Sequence, residues 1–165
     1  MAMTDNEDFV KFMAEVRKIS GIDTLAPDET GLVSVRVDDT YNVNLQFVEA
    51  TGKVLCFVEV AELPVDAPRA VYRDLLAGAL FGKETAGGYF ALEPESETVV
   101  YNYFFDLDEA AKDVEDFISM LEKILQLCDM WAERIRRGLS GYNDGDEREA
   151  ISGSPLRPHD SVILA

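Results

Sequence analysis

A chain of 165 residues with 47% hydrophobic and 10% aromatic content can bury one sizeable core, and it is too apolar to be disordered. Its 32 acidic residues against 15 basic ones leave a formal charge of -17, which repels phosphate backbones and anionic lipid, so neither nucleic acid nor a membrane surface is expected as a partner. No apolar run approaches the roughly 20 residues of a membrane span, and Met1 to Asp8 is acidic with no apolar stretch behind it, so a soluble protein of a reducing cytoplasm is expected.

In chain order, Asp5 to Ser20 reads as a helix, with Phe9, Phe12, Met13, Val16 and Ile19 at helical spacing, Thr4 or Asp5 as cap and Gly21 as stop. Leu32 to Val37 alternates Val33, Val35 and Val37 with Ser34 and Arg36. Across the Asp38-Asp39 turn, Tyr41, Val43, Leu45 and Phe47 alternate with Asn42, Asn44 and Gln46. After a turn at Ala50-Thr51-Gly52, Val54 to Val60 is apolar on both faces, with Val54, Cys56, Val58 and Val60 on one and Leu55 and Phe57 on the other. Three strands with short connections predict an antiparallel meander.

Asp66 then caps a second helix in which Val71, Tyr72, Leu75, Leu76, Ala79 and Leu80 form an apolar stripe, ending near Gly82. That stripe is either core or a surface for a second copy. Tyr89 to Leu92 and Thr98 to Phe105 form a hairpin around Glu93-Pro94-Glu95-Ser96-Glu97. Asp106-x-x-Glu109 opens a long last helix whose apolar face runs from Ala110 through Phe117, Ile124 and Cys128 to Ile135, with Arg134, Arg136 and Arg137 at the negative end of its dipole and Gly138 as terminator. The domain is expected over residues 1–138, followed by an acidic, mobile tail over 139–165 whose last four residues, Val162 to Ala165, are apolar.

Groups suited to catalysis are scarce. His159, the one histidine, lies in the tail, and with Cys56 and Cys128 it makes neither a zinc ligand set nor a nucleophile pair; the two cysteines read as small core residues. Reading Asn143 to Glu147 as a calcium loop puts Tyr142 and Ile151 where oxygen ligands are needed. Glycines 78, 82, 87 and 88 match no phosphate-binding pattern, and Glu93, Glu95 and Glu97 read as a solvated acidic turn. The expectation is a protein that is not an enzyme and uses no metal or cofactor.

The order of elements from Asp66 to Phe105 is distinctive. Leu75-Leu76-Ala77-Gly78-Ala79-Leu80-Phe81-Gly82 leads through Thr85-Ala86-Gly87-Gly88-Tyr89-Phe90-Ala91-Leu92 into Thr98 to Phe105. It resembles the class I chaperones of bacterial type III secretion, the CesT-like (Tir chaperone) family, in which a leucine-rich helix ending in Phe or Leu runs through a Thr-x-Gly-Gly turn into two strands. The resemblance implies an α+β fold in the order α-β-β-β-α-β-β-α, with a five-stranded antiparallel sheet and three helices, forming an acidic homodimer in the bacterial cytoplasm. It also implies ATP-independent binding of the amino-terminal, non-globular segment of a secreted effector. Carried over by position, Val71, Tyr72, Leu75, Leu76, Ala79 and Leu80, with Tyr101 and Tyr103 as neighbours, serve the dimer, and Phe9, Phe12, Val33, Val35, Leu55 and Phe57 are candidates for the effector patches. A stand-alone regulatory or scaffold protein of the same fold, acting through the tail, is the alternative. The long acidic tail departs from the family's compact plan.

Overall fold

Helix α1 (Asn6–Ser20) begins where Asp5 turns its carboxylate back to accept the Asp8 N–H at 2.9 Å and ends where Gly21 takes a left-handed conformation at φ 71°. The computed structural model describes residues 5–141. Strands β1 (Leu32–Val37), β2 (Tyr41–Val48) and β3 (Lys53–Glu62) form the expected antiparallel meander. Helix α2 (Arg69–Gly78) and a 3-10 turn (Leu80–Gly82) lead to the hairpin of β4 (Tyr89–Glu93) and β5 (Thr98–Asp106). Two helices complete the domain, α3 (Leu107–Lys112) and α4 (Val114–Leu139).

The five strands pair in the order β1-β2-β3-β5-β4, all antiparallel, so β1 and β4 are the edges and β3 with β5 the centre. Pleating sorts their side chains into two faces. On the inner face, Val33, Leu45, Cys56 and Tyr103 lie in one row and Val35, Val43, Val58, Tyr101 and Phe90 in the next. The core forms where α1 and α4 cover these rows. Phe9 stacks on Phe47 with ring centroids 6.0 Å apart, Phe12 meets Phe117 edge-on at 4.9 Å, and Ile124, Cys128, Trp131 and Ile135 of α4 complete it. Full burial of such a side chain contributes about 1.5–3 kcal/mol.

The α+β order and the sheet agree with the sequence reading, and three details differ from it. The N-cap of α2 is Pro68, with no side-chain bond, and Asp66 plays no part in it. The last helix is two: Asp106 caps α3 by accepting from the Glu109 N–H, and Asp113 leaves helical geometry at φ -142° and caps α4 by accepting from the Asp116 N–H at 2.9 Å. A second acidic cap inside the run breaks the rod. Gly138 does not terminate α4, which runs on to Leu139. It is a packing residue, because a Cβ there would stand 3.0 Å from a methyl of Val71.

Burial raises both core thiols from an ordinary 9.0 to about 12. Burial, reinforced by its hydrogen bond to Asp129 at 2.9 Å, likewise raises the Tyr41 hydroxyl to about 12. Each is an acid that the folded chain keeps neutral when the unfolded chain has ionised. Their stabilisation is therefore fully present below pH 9 and is lost as pH rises from 9 to 12. Urea midpoints are expected to be level from pH 7 to 8.5 and to fall steeply above, with a shallower fall in Cys128→Ala.

Candidate functional site

Because α1, α3 and α4 all gather on the inner face, no helix among the described residues lies above the outer face of the sheet. Its rows are set by the register: Gln46, Leu55 and Phe104; Ser34, Asn44, Phe57, Asn102 and Tyr89; Arg36, Asn42, Glu59, Val100 and Ala91. The last row is polar at the β1 end, where Arg36 and Glu59 both hydrogen-bond Asn42. Leu55 and Phe57 are half-buried, Phe104 is 42% exposed and Tyr89 45%. The two central strands and the β4 edge thus carry four large apolar side chains to solvent, with Asn102 between them. Such a surface matches extended peptide, which combines side-chain contacts on a sheet with backbone bonding at an edge.

A second apolar surface lies on α2 and the 3-10 turn, where Leu76 is 75% exposed, Leu80 45% and Phe81 42%. Phe81 holds a left-handed backbone at φ 58°, rare for a bulky side chain, and shows its ring to solvent.

Residues 78–88 owe their shape to α4 and β5. The Trp131 indole N–H donates to the Glu84 carbonyl at 3.0 Å, and its ring lies against Gly78, where a Cβ would come within 2.3 Å of it. Arg134 grips Asp74 through two nitrogens, bonds Glu84 at 2.9 Å and stacks its guanidinium 4.5 Å from the Trp131 ring centre. The Tyr101 hydroxyl donates to the Thr85 carbonyl at 2.7 Å, and the Thr85 hydroxyl donates to the Gly88 carbonyl at 2.6 Å. The Thr-x-Gly-Gly turn is therefore pinned from inside the protomer. It is architecture that aims α2 and starts β4.

The positions singled out from the sequence divide between surface and core. Phe9 and Phe12 point inward from α1, and Val33 and Val35 are buried on the inner face of the sheet, so all four are core, not open patches; only Leu55 and Phe57 of that set face outward. Val71 and Leu75 turn inward from α2, and Tyr101 is fully buried with its hydroxyl engaged. Tyr103 is half-buried beside Phe105, with ring centroids 4.7 Å apart. That leaves Tyr72, Leu76, Ala79 and Leu80 as the reachable part of the dimer set. Phe104 and Tyr89 escape the sequence reading as surface residues, although alternation about the buried Tyr101 and Phe105 places Phe104 on the opposite face. His159 and the proposed tail contacts lie outside the described residues.

Among the described residues no three His, Cys, Asp or Glu side chains come together to hold a metal ion, and no helix is long and apolar enough to cross a membrane. The family model described as the Tir chaperone protein (CesT) family matches residues 11–132. A comparison with curated proteins gave no match. Among solved structures, the chain is similar to one in the ExsC-ExsE complex, with TM-score 0.62 and 19% identity over 81% of this chain and 96% of that one. It is also similar to one in the HopA1-SchA chaperone-effector complex, with TM-score 0.60 and 19% identity over 80% and 95%. A third similarity is to one in the ExoU-SpcU complex of the Pseudomonas aeruginosa type III secretion system, with TM-score 0.53 and 15% identity over 80% and 98%. At these identities the likeness is one of fold.

Proposed function

Since this chain belongs to the Tir chaperone protein (CesT) family, we propose that it works as a type III secretion chaperone, holding the non-globular amino-terminal segment of an effector in an export-competent form. The similar chaperone-effector complexes support this reading at the level of fold. The observation that carries it is the outer sheet face, on which Leu55, Phe57, Phe104 and Tyr89 stand in adjoining rows beside a β4 edge that pairs with no other strand among the described residues. An extended segment crossing that face buries apolar side chains and needs neither nucleotide hydrolysis nor a metal. The protein acts by binding, without catalysis, in the bacterial cytoplasm. Two copies pair through Tyr72, Leu76, Ala79 and Leu80 of α2 and its turn, which removes the most exposed leucine of the described chain from water.

The test is co-purification from the source bacterium of a protein whose amino-terminal segment alone rebinds the pure chaperone. Phe104→Asp, on a side chain already partly in solvent, is expected to weaken that rebinding roughly 30-fold, about 2 kcal/mol, with circular dichroism and mass by light scattering unchanged. Full affinity in Phe104→Asp and in Leu55→Asp would rule out this face as the binding surface.

A further inference from the structure

The outer face of the sheet carries the side-chain amides of Asn42, Asn44, Gln46 and Asn102, and they are not used alike. Asn42 is engaged at both ends, its oxygen accepting from Arg36 and its nitrogen donating to Glu59, each at 3.4 Å. Asn44 and Asn102 spend only their nitrogens. Asn44, which is 7% exposed, donates to the Asn42 and Phe57 carbonyls at 3.4 Å, and Asn102 donates to the Val100 carbonyl at 3.1 Å. A carbonyl oxygen has to face a donor, so the amide oxygens of Asn44 and Asn102 are the atoms left over. Neither accepts a hydrogen bond among the described residues and neither is sealed in the core, so both open to solvent.

The two amides stand in one row. Across the sheet the register sets Asn44 of β2, Phe57 of β3, Asn102 of β5 and Tyr89 of β4 side by side, an alternation of amide and aromatic ring. Neighbouring strands lie about 4.8 Å apart, so the two amides are separated by about 9.6 Å, and so are the two rings. A β-strand laid along that row repeats its like-facing groups about every 6.7 Å and falls out of step. A polyproline II chain turns once in three residues, about 9.3 Å, and makes no hydrogen bonds of its own, so every third N–H and every third side chain meets the row in step. Aromatic surfaces are where such chains dock. The row is also uncharged, and the ionised groups of the face stand at its borders, Arg36 and Glu59 on one side and Lys53 and Asp106 on the other, one of each sign. A neutral segment is the complement.

We propose that this row reads an uncharged segment in polyproline II conformation that crosses the strands, with an apolar side chain at every third position against Phe57 and Tyr89 and an N–H at the same interval on the oxygens of Asn44 and Asn102. The proposal rests on the outer face being the binding surface, and it adds the conformation and the spacing that the face selects.

Two fluorescently labelled peptides of equal composition test it on the full chain. One is four repeats of Leu-Pro-Ser, and the other holds the same residues rearranged so that leucine falls at every second position. Anisotropy is expected to show the first binding about tenfold more tightly than the second. Asn102→Leu, on a half-buried side chain of the face, is expected to cut that preference to about twofold with circular dichroism unchanged. Equal affinities that Phe104→Asp lowers together overturn the polyproline II spacing and leave the face as the binding surface. Affinities that Phe104→Asp leaves untouched overturn both. A preference that survives both Asn102→Leu and Asn44→Leu overturns the role of the amides. Binding of neither peptide at about 1 mM also overturns the proposal, and rebinding of the co-purified segment to Phe104→Asp then judges the face alone.

Discussion

Trp131→Ala is expected to destabilise the protein by about 3–5 kcal/mol. Trp131 is fully buried, meets Phe90 edge-on at 4.9 Å, lies under Arg134 and donates its N–H to the Glu84 carbonyl. It is also the floor on which α2 rests, because Gly78 presses bare backbone against its ring. Alanine leaves a cavity between α4, α2 and the turn before β4, and that cavity cannot close unless α2 moves. Urea melts followed by circular dichroism measure the loss, since the variant has no tryptophan to report. Trp131→Phe is expected to retain about half of the stability lost by alanine. A loss under about 1.5 kcal/mol in Trp131→Ala would show that α2 is anchored by Arg134 and Asp74 instead.

Gly88→Ala is expected to cost about 3 kcal/mol, at the upper end of what overpacking one methyl brings. The added Cβ would stand 2.4 Å from the Tyr101 ring and hydroxyl and 2.6 Å from the Asn102 carbonyl oxygen. Neither can yield: Tyr101 is fully buried with its hydroxyl on Thr85, and Asn102 lies in the paired strand β5. Relief comes only by peeling the start of β4 away from β5. The neighbouring glycine gives the control. Gly87 has a positive φ of 85° but its nearest neighbour to an added Cβ is 3.8 Å away, so Gly87→Ala carries only the strain of a left-handed alanine, about 1–2 kcal/mol. Denaturant midpoints in the order native, Gly87→Ala, Gly88→Ala check the assignment of one glycine to conformation and the next to space.

Strand boundaries are legible because alternation over β1 and β2, and the Asp5 cap and Gly21 stop of α1, are local signals that tertiary structure has no reason to override. Core and surface are not separable by the same means. Phe9, Phe12, Val71 and Leu75 repeat as an apolar stripe would whether it meets a partner or the chain's own sheet, and only the placement of α4 decides. Leu55 and Phe57 suggest a strand covered on both sides, while the structure leaves their side open because every helix above the sheet docks on the other. Trp131 falls between Cys128 and Ile135 at helical spacing, and nothing local marks it out from its aliphatic neighbours. Arg134 looks like a dipole partner because its carboxylates, Asp74 and Glu84, come from distant sequence. The break at Asp113 is readable as a second acidic cap, Asp113-x-x-Asp116, masked by the continuous apolar pattern around it.

The strand order also sets a sequence of events in synthesis. Residues 53–62 of β3 pair on one side with β2, already made, and on the other with residues 98–106 of β5, which leave the ribosome much later. Until then the meander ends in a naked edge whose strand is apolar on both faces, and the helix that will cover its inner side, α4, is the last element of the domain to emerge. Non-local pairing of this kind is slow and leaves the nascent chain adhesive. A chain proposed to hold the segments of others in extended form thus passes through a stage in which its own central strand is just as exposed.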